Sequence, residues 1–526
     1  MRLALAASLL CAAIFPSAYL AWQARDVPHL GYFHDDALYY VSAKSLAGGA
    51  GYRIASLPGE PPQTKYPPLY PALLAGVWRL SPNSPENLKW ALAASWLMLV
   101  LWLVAALRAF RDLLGPGLEA WALTAALALN PFAVLCGISL LSELPFAFLL
   151  LVSMTMAERA GGQGRGVWLA AAAGVIASAA FLTRTAGWPL LAAGPAAFLL
   201  RRQPRRAAAF ALAMLPGVAG WMLWVQWRRV PSADPILLYY TDYLGYWVQD
   251  LASAGVPRMI WKNLDSLLSA IGSLFVFGLG DSFAAKSAAR VLAVAALAGT
   301  VRLARRGRGL VFFLFTGAYL AMLPAWNYSP DHRFLVPIFP ILLAGFWMEF
   351  RRVAGKVRAA FVAGRTAERA AAGAIGAALA AIVLAAASGA CLGLFRALPR
   401  FLEEHRAARE AHLPAYRWAA ANLPRDAAAL AYDDPGFYLH TGRKACRLMI
   451  PPSLVYNGDR GALERFLAGA PDWARARGLS FLLLRRGDFH AELPEADRRV
   501  AYRVLSSHPR LRKVYARDGM LISRIE

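Results

Sequence analysis

Two adjacent carboxylates, Asp35 and Asp36, stand in the stretch GYFHDDALYYVSAKSLAGG (Gly31 to Gly49), just behind a histidine and ahead of a short helical pattern. An acid at a helix start accepts hydrogen bonds from free backbone N–H groups and complements the positive end of the helix. One cap needs one side chain, so capping accounts for one of the pair and leaves the other for proton transfer. Further along the same loop, QTKYPPLYPALLAG (Gln63 to Gly76) places Lys65 at a corner stiffened by two tandem prolines. A lysine there either snorkels to a membrane surface or holds a phosphate.

Three further sites share this character. Glu143 lies at the edge of an apolar segment in CGISLLSELPF. A carboxylate in that position is either a first-turn acid or a group facing a cavity and a partner. Arg184 in FLTRTAGWPLL and His332 with Arg333 in NYSPDHRFLVPIFP sit between apolar segments. Three acids (Asp35, Asp36, Glu143) and three cations (Lys65, Arg184, Arg333) therefore recur at loops of one side. Carboxylates beside fixed cations suit glycosyl transfer from a lipid-linked sugar. A carboxylate takes the proton of a weakly nucleophilic hydroxyl, and a cation stabilises the phosphate that leaves.

The elements that must position these residues are apolar helices. The chain of 526 residues is 58% hydrophobic and 17% charged, with mean hydropathy +0.42. Eleven segments approach the roughly 20 apolar residues that a bilayer core requires: 3–22, 87–107, 118–135, 143–157, 167–183, 186–200, 207–227, 288–301, 309–326, 334–350 and 370–394. Basic residues crowd alternate loops: Arg2; Arg108 and Arg111; Arg159 and Arg165; Arg201 to Arg206; Arg302 to Arg308; and Arg351 to Arg369. By the positive-inside rule those loops are cytoplasmic. The opposite loops, with the acids and outlying cations, then face outward. The net charge of +24 is dispersed among these short loops, which is topology rather than a nucleic-acid surface. Nucleic acid is excluded as a partner. The apolar stretch Leu264 to Gly280 would invert every later loop if it spanned, so it is expected to be re-entrant or interfacial.

Past Leu398 the pattern changes. Charges of both signs appear, apolar runs shorten to strand length, and KVYARDGMLISRI predicts a hairpin around Asp518-Gly519. The expected organisation is a transmembrane module over 1–398, including the first outer loop 23–86, followed by a small extracytoplasmic α/β domain over 399–526. Asp433 and Asp434 form a second acid pair in that domain, but Pro435-Gly436 marks them as turn residues. The four cysteines are far apart and lack a CxxC, so neither a disulfide framework nor a zinc site is indicated. There is no GxxxxGK[ST] loop, and GGQGRG (Gly161 to Gly166) follows no strand.

The combination HDDALYYVSAKSLAGGAGYR…TKYPPLYPALLA, with SELPFAFLLL, FLTRTAGWPLL, RFLVPIFPILL and YLHTGRKA, resembles the bacterial GT-C glycosyltransferases. That superfamily includes protein O-mannosyltransferase-like enzymes and the aminoarabinose transferases of lipid A. The resemblance implies a mainly α, polytopic membrane protein of about eleven transmembrane helices. It also implies transfer of a sugar from a polyprenyl-phosphate donor to an acceptor hydroxyl on a glycan, lipid or protein, with inversion. The setting is the outer face of the bacterial cytoplasmic membrane.

Carried over by motif, Asp35 or Asp36 is the acceptor base, and Lys65 is a contact for the donor phosphate. Glu143 takes the place of a second acidic motif where many relatives have Asp. Arg184 and Arg333 are further phosphate or structural residues. Relatives differ in metal use, and His34, Asp35 and His332 are the candidates to help hold a divalent cation. A transporter or flippase of lipid-linked sugars is the alternative, and predicts polar residues spread along the spans. A non-catalytic envelope scaffold is a third reading, and predicts that the first-loop acids can be lost without effect.

Overall fold

The structure, a computed structural model, describes residues 2–27, 30–162, 166–232, 234–364 and 366–526. Gln163, Gly164 and Arg165 of GGQGRG, and Arg365 of the last basic loop, lie outside the described residues. All eleven expected segments fall on helices. Among the described residues, seven helices are long and apolar enough to cross a membrane, or eight if the pair Leu118–Ala128 and Pro131–Gly137, bent by 64°, counts as one span. The bend has a local cause. Pro131 cannot donate, and the Asn130 side chain accepts from the N–H groups of Phe132 and Ala133, which restarts the helix. Two shorter apolar helices, Thr185–Leu200 and Leu310–Ala325, match two more expected segments. The last, Glu143–Ala160, carries Glu143, Glu158 and Arg159.

The chain divides into two compact units. The first comprises Met1–Gln23, Leu92–Gly220 and Trp261–Phe401, and contains most of the apolar helices. In a bilayer the helices gain little from hydrophobic burial, so close backbone approach at small residues drives their packing. Phe283–Arg305 and Phe339–Ala363 show this at Gly299 and Gly345. A Cβ on Gly299 would lie 1.8 Å from the Gly345 carbonyl oxygen. Either glycine replaced by alanine forces the two helices apart.

The second unit comprises Ala24–Ala91, Trp221–Ile260 and Leu402–Glu526. The first loop, which the sequence groups with the apolar helices, thus packs with the C-terminal region. Its helices Asp35–Ala47 and Leu69–Leu80 lie against each other. The C-terminal part holds a five-stranded sheet of order β2-β1-β3-β5-β4. Its strands are β1 (Ala428–Ala431), β2 (Lys444–Cys446), β3 (Phe481–Arg485), β4 (Leu511–Arg517) and β5 (Met520–Ile525). β1 runs parallel to β2 and β3, and all four of its residues are buried, as a central parallel strand requires. The β4–β5 hairpin turns at Asp518-Gly519, where both residues have positive φ (50° and 75°), as a two-residue primed turn demands. The helix Asp434–Thr441 connects β1 to β2. Asp434 at its start is fully buried and Asp433 beside it half-buried, which exceeds the turn role that the sequence suggests.

Candidate active site

The two first-loop acids have different surroundings. Asp36 is fully buried, and its Oδ1 accepts the Gly31 N–H at 3.2 Å and the Ala37 N–H at 2.8 Å. It closes the loop onto the helix start, the capping role that the sequence assigns to one of the pair. Asp35 is only partly buried, and its Oδ1 accepts the hydroxyl of Tyr66. Asp35 is thus the more accessible of the two acids, whereas Asp36 Oδ1 is taken by two backbone N–H groups.

The proline corner is held from three sides. Tyr52 donates its hydroxyl to the Tyr66 and Pro67 carbonyls at 2.8 and 3.2 Å. The Gln63 side-chain oxygen accepts from the Lys65 and Tyr66 N–H groups at 3.0 and 3.3 Å. The Gln63 amide in turn donates to Ser42 at 3.0 Å. Lys65 is buried by this arrangement, with its ammonium over the rings of Tyr239 (3.2 Å to the centroid), Tyr243 (4.6 Å) and Tyr66 (5.0 Å). Ring faces attract a cation but replace water poorly. Burial therefore pulls the Lys65 pKa down to about 7, against the opposing pull of the Asp35 and Asp434 carboxylates. Among the described residues no carboxylate comes within ion-pair distance of this ammonium.

His34 precedes Asp35 with φ 62° and ψ −43°, a left-handed backbone that L residues seldom adopt. Both of its ring nitrogens are engaged: Nδ1 with the Tyr239 hydroxyl at 2.9 Å and Nε2 with Asp434 Oδ1 at 2.8 Å. Asp434 Oδ2 accepts the Tyr240 hydroxyl at 3.1 Å, and the Tyr240 hydroxyl oxygen accepts the Arg447 N–H at 3.0 Å. Burial pushes the Asp434 carboxyl well above its ordinary range, with Arg447 pulling the other way. Burial, Arg447 and Lys65 hold His34 well below its ordinary range. Sequence reasoning missed Tyr239, Tyr240, Tyr243 and Arg447, and read Asp434 as a turn residue. The string YYTDYLGY, which spaces Tyr239, Tyr243 and Tyr246 by single helical turns, was the available signal.

In the first unit, Glu143, Arg184 and Arg333 converge. Glu143 is fully buried at the first turn of its helix. Its Oε1 receives Arg184 Nη1 at 2.9 Å, and Arg333 Nε and Nη2 at 2.9 and 2.8 Å. Arg184 also donates to Ser142 Oγ at 3.1 Å. Asp331 adds a second carboxylate to this cluster, its Oδ1 accepting the Arg333 N–H at 2.9 Å. Removing one partner from such a buried set strands the others and typically costs about 3–5 kcal/mol. Glu143→Ala is therefore expected to lower the midpoint of thermal unfolding in detergent far more than Glu143→Gln, whose amide oxygen still accepts.

The three metal candidates do not form a donor set. His34 uses both nitrogens. His332 stacks on Phe132 with ring centroids 3.8 Å apart and planes at 6°. Among the described residues, no three His, Cys, Asp or Glu side chains converge as cation ligands.

Solved structures share this architecture. ArnT from Cupriavidus metallidurans bound to undecaprenyl phosphate matches at TM-score 0.54 and 14% identity, over 99% of this chain and 98% of that one. The Archaeoglobus fulgidus oligosaccharyltransferase AglB, in complex with an inhibitory peptide and a dolichol-phosphate, matches at TM-score 0.52 and 14% identity, over 99% and 74%. The Archaeoglobus fulgidus oligosaccharyltransferase in complex with Zn and sulfate matches at TM-score 0.56 and 14% identity, over 91% and 68%. The chain has a GT-C-like fold. No protein-family model matches it, and no curated protein does. At these identities the likeness extends to the fold, which the sequence resemblance anticipates. The polytopic helical body and the small C-terminal sheet domain are both borne out.

Proposed function

We propose that the protein is a membrane glycosyltransferase that moves a sugar from a polyprenyl-phosphate carrier to an acceptor hydroxyl. One observation carries this reading: a partly buried carboxylate and a buried ammonium stand on one rigid loop. They are joined through Tyr66, which donates to Asp35 and lies under the Lys65 ammonium. The fold shared with proteins solved with undecaprenyl phosphate and dolichol-phosphate supports it.

In the proposed step, the acceptor oxygen attacks the anomeric carbon of the sugar while Asp35 takes the hydroxyl proton. The bond from that carbon to the phosphate oxygen breaks, and the electron pair leaves with the polyprenyl phosphate. Lys65 stabilises the growing negative charge in a site with little water. The products are the glycoside with inverted configuration, polyprenyl phosphate and a proton, which Asp35 returns to solvent. Asp36 holds the loop and does not react. Arg184 and Arg333, oriented by Glu143, are proposed as anion contacts of their own unit. Among the described residues the candidates do not fit a divalent cation, and no step is routed through one. The helices 1–398 are read as the catalytic module and 399–526 as an extracytoplasmic domain. The protein is placed in the bacterial inner membrane with its basic loops inside.

Lipid analysis of cells tests the reading. Loss of the protein is expected to raise the pool of unconsumed polyprenyl-phosphate sugar, and wild-type protein to restore it. An unchanged pool would count against the proposal. A pH dependence also follows. The sugar donor is a phosphodiester with one fixed negative charge, so its binding depends on Lys65 remaining protonated. With the Lys65 pKa at about 7, donor affinity is expected to fall as pH rises through neutrality. A bound phosphate raises that pKa and shifts the fall upward. Titration of binding between about pH 6 and about pH 9 checks this, and Lys65→Met is expected to be flat across the range.

A further inference from the structure

We propose that Asp434 of the C-terminal domain is a positioning residue for the transfer site, which acts through His34 and Tyr239 to fix the ring under the Lys65 ammonium. The inference rests on reading Lys65 as the donor-phosphate contact.

The connection is continuous. Asp434 Oδ1 meets His34 Nε2 at 2.8 Å, and His34 Nδ1 meets the Tyr239 hydroxyl at 2.9 Å. The face of the same Tyr239 ring carries the Lys65 ammonium 3.2 Å from its centroid. His34, Tyr239, Tyr240 and Asp434 are all buried, so water does not substitute for a missing partner. In every protonation state of the Asp434–His34 pair, both imidazole nitrogens keep a hydrogen-bond partner. The ring orientation, and with it the Tyr239 hydroxyl, is therefore set by geometry rather than by pH. The charged groups facing the pair, Lys65, Arg447 and Asp433, do not alter that count.

Two features distinguish this from ordinary core packing. The His34 backbone occupies a rarely populated conformation immediately before Asp35, and such outliers persist where surrounding contacts over-determine them. The neighbouring acid presses on the same loop. Asp433 Oδ1 lies 2.1 Å from where a Cβ on Gly31 would stand, and Gly31 has φ 88°. Asp433 Oδ2 accepts the Tyr416 hydroxyl at 3.1 Å, which ties this acid to the core of the sheet domain. The Asp433-Asp434 pair thus grips residues 31–34 from the sheet domain. Through His34, Asp434 reaches both proposed reactive groups: Asp35 by sequence and Lys65 by Tyr239.

The test uses the full-length protein in detergent and undecaprenyl phosphate as the probe, with unfolding temperature recorded alongside. Asp434→Ala is expected to weaken binding about tenfold or more, while Asp434→Asn, whose side-chain oxygen still accepts from His34, stays within about threefold. Tyr239→Phe keeps the ring and removes one oxygen, and is expected to weaken binding about fivefold. Donor turnover should show the same losses mainly in KM. If Asp434→Ala does not fold, Tyr239→Phe decides alone. Wild-type binding by Tyr239→Phe, or by a folded Asp434→Ala, overturns the positioning role while Lys65→Met still loses binding. If Lys65→Met itself binds like wild type, the phosphate-contact reading fails and the inference falls with it.

Discussion

Asp35→Asn is expected to lower the rate of sugar transfer by about 10²–10⁴-fold while leaving donor binding within a few-fold of wild type. The substitution keeps the size and planarity of the side chain and still accepts the Tyr66 hydroxyl, so the loop is undisturbed. What is lost is the capacity to take a proton as the acceptor oxygen attacks. The loss therefore appears in kcat with little change in the donor KM. Asp36→Asn makes the contrast. Its Oδ1 accepts two backbone N–H groups in a fully buried setting, and an amide oxygen can take both. Asp36→Asn is expected to lose stability more than rate, and Asp36→Ala to destabilise the loop outright. Single-turnover transfer with each variant, beside its thermal unfolding curve, separates the two roles.

Lys65→Met is expected to cost about 10²–10³-fold in transfer, because the cation that stabilises the leaving phosphate is gone. Methionine keeps an unbranched stem of similar length among Tyr66, Tyr239 and Tyr243, so the cage of rings stays filled. Unlike Asp35→Asn, this change reaches both steps: it weakens donor binding and slows departure of the phosphate. Lys65→Arg does not rescue fully. The planar guanidinium is larger than the ammonium, and the ring at 3.2 Å leaves no room for it. Donor affinity measured by equilibrium binding, with kcat from saturating donor, checks both parts.

Much of this was legible in the sequence because bilayer physics is local. A run of apolar residues becomes a helix regardless of what lies elsewhere, and all eleven runs did. The Asp-Gly hairpin is equally local, since the two positive φ values need those residue types. The tandem prolines marked Lys65 for the same reason. The partners of these residues were not legible. His34 meets Tyr239 across 205 positions and Asp434 across 400, and no period or spacing reports such a contact. Asp434 looked like a turn residue because Pro435-Gly436 does begin a turn of helix, and nothing local says that the acid at its start is buried. The first loop was grouped with the apolar helices by chain continuity, whereas its packing partners come from the C-terminal region.

The most direct measurement of the central claim is transfer in detergent micelles, where no compartments exist and transport across a membrane has no meaning. Purified wild-type protein and Asp35→Asn are incubated with polyprenyl-phosphate sugars extracted from the source membranes and with acceptor extract, and free polyprenyl phosphate is quantified by mass spectrometry. The predicted result is release by wild type that depends on the acceptor and is absent with Asp35→Asn. Donor left intact by the wild-type protein, or equal release by Asp35→Asn, would contradict it.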